Sequence, residues 1–237
     1  MMKTIILLWI TTLALCIGCS NNDNELPAIK PGSTGTLTDN DGIEYIWVRY
    51  GDLDWMASNY NAGTPYYEQK NSRGQALLRN SDTELVKAYY TTYGNLYTYE
   101  EAVANAPAGW RLPTDEDGKL EQTLECPVRI QCNLERLIRR RIKQQKDGIN
   151  LRLCGSITLG GSGSYLFLRN AGDYGFYWTS TVDESYKKST AVYFRRIRYN
   201  SSQIERDVTT IADESLMGMN NKYMGVRYVR DANINIK

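Results

Sequence analysis

Pro107 to Asp117, PAGWRLPTDED, is the stretch on which the fold reading turns. Trp110 and Leu112 alternate, so both can face a core from a short strand. Pro113 has no N–H to donate and stops the strand. Thr114 follows as a helix cap, and Asp115, Glu116 and Asp117 put acids where a helix N-terminus favours them. Gly118 weakens that helix from within. A strand that stops at a proline and leads straight into a capped helix predicts a mixed α and β architecture.

The flanks extend this reading. Upstream, Thr98 to Ala104 (TYEEAVA) opens a helix, with Thr98 and Glu101 at capping-box spacing. Glu44 to Tyr50 (EYIWVRY) reads as a strand after the turn Asp39-Asn40-Asp41-Gly42, and Asp54 to Ala57 starts its partner after Gly51-Asp52. Residues 60–92 are polar and Tyr-rich and read as loops. Downstream, residues 129–146 predict a helix, with Ile130, Leu134, Leu137, Ile138 and Ile142 on one face and Arg139, Arg140 and Arg141 among the basic residues covering the rest. Gly160 to Ser164 reads as a flexible loop. Tyr177 to Thr181, Ala191 to Tyr199, Gln203 to Val208 and Tyr223 to Arg230 read as short strands, with Asn200-Ser201-Ser202 as a hairpin turn. The expected fold class is α+β, one domain with two or three helices and short antiparallel strands.

Several separated pieces, taken in order, resemble the Fibrobacter succinogenes major paralogous domain. They are DNDGIEYIWVRYG (Asp39 to Gly51), WMASN (Trp55 to Asn59), YGNLYTYEEA (Tyr93 to Ala102), PAGWRLPTDED, GFYWTST (Gly175 to Thr181) and YMGVRYVRD (Tyr223 to Asp231). The resemblance implies an exported protein with a C-type-lectin-like domain over most of residues 36–231. GWRLPT followed by acids is also similar to the formylglycine-generating, sulfatase-activating family, which shares the broad fold. That family uses a cysteine pair near the end of its fold, and here no cysteine follows Cys154. The calcium-binding triplet and Trp-Asn-Asp stretch of sugar-binding C-type lectins are also missing. Two departures from the family pattern stand out: Gly118 in place of an aromatic after the LPT motif, and the basic helix at 129–146.

The N-terminus predicts export. Lys3 precedes Ile5 to Ile17, an apolar run of signal-peptide length that is short for a membrane span. Gly18-Cys19 resembles the lipobox of bacterial lipoproteins, with Cys19 as the acylated first residue. Multiple acyl chains would hold the protein firmly on a membrane. Ser20 to Glu25 (SNNDNE) resembles the acidic signal that sends some Bacteroidetes-type lipoproteins to the cell surface. The expected organisation is therefore a signal peptide at 1–18, a tether at 19–35 and a single domain at 36–232. The expected location is the outer membrane.

Composition narrows the function. The 28 basic and 27 acidic side chains nearly cancel, which argues against a general nucleic-acid binder. The chain has no histidine, which removes Ser-His-Asp triads, Cys-His dyads and His-ligated metals. Tyr outnumbers Phe 18 to 3, and tyrosine suits polar binding surfaces. No catalytic residue, metal site or cofactor is expected. Asp39-x-Asp41-Gly42 is explained better as a hairpin turn than as a calcium loop. Cys126, Cys132 and Cys154 allow one disulfide, with the pairing open. Arg139 to Arg141 could grip an anion, but an ordinary solvated helix face is favoured.

The late strands carry the ligand-binding candidates. Tyr165, Tyr174 and Tyr177 lie near Gly-rich turns and could stack on sugar rings, and Arg195 and Arg198 alternate with Tyr193 and Tyr199 across mixed faces. The expectation is a non-enzymatic surface lipoprotein that binds a glycan or an exposed protein. The alternative is an envelope lipoprotein that holds a protein partner, and the distant alternative, from the second resemblance, is a formylglycine-generating-type oxidase.

Overall fold

The Asp39-to-Gly42 turn folds strand β1 (Thr34–Thr38) back on β2 (Glu44–Tyr50), with Thr38 opposite Glu44. Asp39 shapes the turn: its carboxylate accepts from Asp41 N at 3.0 Å, Ile43 N at 2.8 Å and Tyr45 Oη at 2.9 Å. Gly42 supplies the positive φ of 80°. The hairpin reading of this motif therefore holds. β1 begins at Thr34, inside the stretch assigned to the tether. Gly35 explains why: the Trp47 ring lies against it, and any side chain there would collide.

The molecule, a computed structural model, is described over residues 32–70, 74–118, 150–159, 166–187, 189–201, 203–211 and 222–232. The expected helix at 129–146, Cys19, Cys126, Cys132, Tyr165 and the Gly160–Ser164 loop lie outside these residues. The described chain is α+β, with mostly antiparallel strands and two short helices. None of its helices is long and apolar enough to cross a membrane.

One sheet has the order β1-β2-β3-β9, with β3 at Leu53–Met56 and β9 at Val229–Asp231. A hairpin of β4 (Ser156–Leu159) and β5 (Leu166–Arg169) forms a second. The third is β6 (Tyr174–Val182), β7 (Ala191–Arg198) and β8 (Glu205–Thr210), joined in sequence order. Residues 223–229 stitch these together through bridges from Tyr223 to Ile157, Met224 to Tyr97, Gly225 to Tyr177 and Val229 to Arg111.

Helix α2 (Tyr99–Ala104) has the predicted capping box: Thr98 Oγ1 accepts from Glu101 N at 3.2 Å, and Glu101 accepts from Thr98 N at 2.9 Å. At Thr114 the same reciprocal pattern recurs with Asp117, at 3.1 and 2.7 Å. Helix α1 (Glu84–Tyr93) was not expected; it lies in the stretch read as loop, capped by Thr83 and ended by Gly94. Its first turn has Thr83 but no acid at the capping-box position, and only Val86 and Tyr93 are buried, so its apolar period is weak.

Two hydrophobic clusters form the core, and both large sheets lie between them. Val48, Tyr50, Trp55, Tyr177, Ile197 and Val229 belong to the first cluster. Tyr45, Met56, Trp178, Val192, Phe194 and Tyr228 belong to the second. Since successive strand residues point to opposite faces, a strand such as β6 feeds Tyr177 to one cluster and Trp178 to the other.

The recurring motifs interlock as scaffold. Arg227, only 1% exposed, donates to Asn59 Oδ1, Met56 O and Asn150 O at 2.8, 2.8 and 2.5 Å. Asn59 in turn donates to Tyr93 O at 2.7 Å. Arg111 joins Asp117 at 2.6 Å and Asp231 at 2.9 Å. Asp54, 0% exposed, holds Arg49 and Arg230, and Arg230 lies between the Trp47 and Trp110 rings at 5.2 and 4.9 Å.

Candidate functional site

The β6–β7 register sorts the candidate residues. Tyr174 stands opposite Arg198, Phe176 opposite Arg196, and Trp178 opposite Phe194. These pairs share one face, because directly opposite residues point the same way. Tyr177 opposite Arg195, and Gly175 opposite Ile197, share the other. Tyr174 and Tyr177 are an odd number of residues apart, as are Arg195 and Arg198, so each couple is split by the pleat.

On the first face, the Tyr174 and Phe176 rings stack at 5.9 Å and 22°. Phe176 continues to Phe194 at 6.0 Å. The row runs from the buried core at Trp178 and Phe194 to half-exposed Phe176 and Tyr174. Charged residues flank the open end. Arg196 pairs with Glu205 at 2.6 Å and reaches Asp207 at 3.5 Å, and Arg198 also pairs with Glu205. The Arg198 side chain stays 42% exposed. Flat rings offer an apolar platform, and the adjacent guanidinium and carboxylate groups supply donors and acceptors at its edge. This face brings together two of the expected residues, Tyr174 and Arg198. It adds Phe176, Arg196 and Glu205, which the search for tyrosine and arginine near glycine turns did not single out. The signal that finds them is alternation with Tyr174 and Arg198.

Tyr177 and Arg195 are corrected: both are built into the interior. Tyr177 is 4% exposed, and its hydroxyl donates to Arg152 O and accepts from Arg152 N, both at 2.6 Å. Burial pushes its phenol well above the ordinary range. Arg195 is 2% exposed and donates through Nη2 to Asp115 O and Oδ1 at 2.6 and 2.7 Å. Asp115 also accepts from Arg206 Nε at 2.7 Å, and Arg206 stacks over the Tyr193 ring at 3.7 Å. A methyl group at Gly118 would lie 2.5 Å from Arg195 Nε. Glycine after the LPT motif therefore makes room for a buried guanidinium.

The other candidates are absorbed by structure. Cys154 is a free, buried thiol, and burial pushes it above the ordinary thiol value, which makes it a poor nucleophile. Asp41 accepts from Gly63 N at 3.0 Å, so the turn acids serve backbone N–H groups. Tyr60, packed between Tyr45, Tyr97 and Tyr228, has its phenol pushed up to about 12, chiefly by burial. An open groove lined by Thr64, Glu68, Gln69, Lys70 and Glu101 lies elsewhere, and Glu101 is already held by its capping box. No group of metal-ligating side chains occurs among the described residues.

Comparison with curated proteins and with solved structures returns no match. The family model described as the Fibrobacter succinogenes major domain matches residues 48–230, a span that runs from the middle of β2 to β9 and includes Asp54, Asn59, Arg111, Asp117, Arg227 and Arg230 of the interlocking contacts above. The chain belongs to the Fibrobacter succinogenes major domain family.

Proposed function

We propose that this protein is a lipid-anchored lipoprotein of the outer cell surface whose C-type-lectin-like domain binds a glycan or an exposed protein without catalysis. The anchor is Cys19, by the lipobox-like Gly18-Cys19 step after an apolar leader. The observation that supports binding is the half-open face of β6, β7 and β8. There the Tyr174–Phe176 stack meets Arg196, Arg198 and Glu205. Planar rings cover the C–H face of a sugar or an apolar side chain at low entropic cost, and the charged edge orients the ligand.

The test is a glycan array probed with the chain from Ser20 onward, with and without a calcium chelator. Chelator-resistant binding to a defined sugar, lost in Tyr174→Ala, is the expected result. Binding that chelator removes would overturn the metal-independent face. No binding to any sugar would transfer the reading to a protein ligand, with capture from the native envelope as the next step. Labelling with radioactive palmitate, lost in Cys19→Ser, checks the anchor.

A further inference from the structure

Arg49, Asp54 and Arg230 form one row across β2, β3 and β9, since Arg49 stands opposite Asp54 and Asp54 opposite Arg230. Directly opposite residues share a face, so one carboxylate lies between two guanidiniums. The acid is the covered member: the Asp54 side chain is 0% exposed, against 34% for Arg49 and 23% for Arg230. Burial alone would raise its carboxyl, but the bonds and charges of both arginines hold it below the ordinary value, so it keeps its charge. The other strand residues on this face, Gly35, Leu37, Tyr45, Trp47 and Met56, are neutral. Arg111 belongs to the other face, opposite Val229, and pairs there with Asp117 and Asp231. The row therefore carries one positive charge beyond what Asp54 needs.

That surplus is held in place. Arg49 gives Nε and Nη2 to Asp54 at 2.7 and 3.1 Å, and Arg230 gives the same two atoms at 3.1 and 2.6 Å. Both meet on Asp54 Oδ2, so the cations stand side by side. Nη1 of each makes no hydrogen bond among the described residues. Both guanidiniums also pack on the Trp47 ring, at 5.6 and 5.2 Å, and Arg230 reaches the Trp110 ring at 4.9 Å. Trp47 is itself fixed: it lies over Gly35, where any side chain would collide, and donates Nε1 to Thr36 O at 3.1 Å. Arginines held by a carboxylate and a ring lose little freedom when they take a ligand.

We propose that Arg49 and Arg230, beside Trp47, form a second binding site that takes the sulfate or phosphate ester of a sugar. A tetrahedral oxyanion has oxygens enough to accept from both guanidiniums at once, and an anion between them relieves the repulsion of like charges. A planar carboxylate is already satisfied by a single guanidinium fork. The half-buried Trp47 indole supplies an apolar surface for the carbon face of the sugar. The site is separate from the Tyr174 face, which belongs to the β6-β7-β8 sheet.

The test uses the full-length chain in an uncharged detergent and reads calorimetric affinity for glucose 6-sulfate, glucose 6-phosphate, inorganic phosphate, glucuronate and glucose. At least one of the two esters should bind, more weakly as sodium chloride is raised. Which ester binds more tightly tells sulfate from phosphate. Inorganic phosphate and glucuronate should bind less well, and glucose not at all. Arg49→Gln should weaken ester binding roughly ten- to hundredfold, the equivalent of one lost charged hydrogen bond. Asp54 keeps Arg230 in that variant, so the fold is retained. Arg49→Lys and Arg230→Lys keep the charge and shed the planar fork, and each should weaken the ester less than Arg49→Gln does. Tyr174→Ala should bind the esters as the parent does, which separates this site from the face above. A parent that ignores both esters would overturn the proposal, as would equal affinity for glucose, glucuronate or inorganic phosphate. Parental affinity in all three arginine variants, or loss of ester binding in Tyr174→Ala, would overturn it too.

Discussion

The two faces of the β6–β7–β8 sheet carry similar side chains and do opposite things. On one, Tyr177 and Arg195 are covered: the Tyr177 hydroxyl bonds to Arg152 N and O, and Arg195 Nη2 bonds to Asp115 O and Oδ1. On the other, Tyr174 and Arg198 face one another across the strands, and only the Trp178 end is covered. Tyrosine and arginine are equally at home in both settings, because each has an apolar body and a polar tip. What separates structure from surface here is parity along the strand, not residue type.

The sharpest way to break this contrast is at Asp115. Asp115→Ala strips Arg195 and Arg206 of their shared carboxylate and leaves a buried guanidinium uncompensated. Chemical denaturation should report a loss of about 3–5 kcal/mol. An equal loss for Glu205→Ala on the open face would erase the distinction. Next comes Tyr177→Phe, which leaves Arg152 N and O without their hydroxyl partner; the expected loss is about 1–3 kcal/mol.

Acid should tell covered from open carboxylates as well. Burial alone would raise the Asp54 carboxyl, but the hydrogen bonds and charges of Arg49 and Arg230 hold it below the ordinary value. Asp117 is lowered likewise against its burial, by Arg111 and Thr114. With folded values depressed, the unfolded chain takes up protons first as pH falls through about 4. Their stabilisation is complete above that point and is lost as pH drops through the folded values. An acid melting series should show a steep limb below about pH 4, and Asp54→Asn should flatten it. At neutral pH the series should be level for these two groups. The smallest stability effect belongs to the open face: Tyr174→Ala should change unfolding free energy by about 0.5 kcal/mol or less. Its consequence should appear in ligand binding alone.

Where the signal was local, the sequence revealed the fold. β2 occupies Glu44–Tyr50 as read, because a turn with a glycine precedes an alternating aromatic and β-branched run. Thr98 and Glu101 marked the α2 cap because a capping box is complete within four residues. α1 escaped because its helical contacts involve tertiary packing by Tyr66, Tyr67 and Tyr90 rather than an apolar stripe. β4 and β5 escaped because short strands beside glycine leave little pattern. The candidate site was half legible. Composition singled out Tyr174 and Arg198, which share the open face, together with Tyr177 and Arg195, which are buried. The odd spacing within each couple was visible in the sequence and already placed them on opposite faces.

The stitching segment at 223–229 has a temporal consequence. Asp54 and Arg230, which bond at 2.6 Å, are 176 residues apart, and β3 has no neighbour on one side until β9 arrives. A ribosome releasing this chain from its N-terminus would therefore expose β1, β2 and β3 long before their sheet could be completed. Such long-separation contacts slow folding, since distant segments must be brought together before any of their bonds can form. The polypeptide should stay in an unfinished, threadable condition through most of its synthesis and then lock late, when its last strand is delivered.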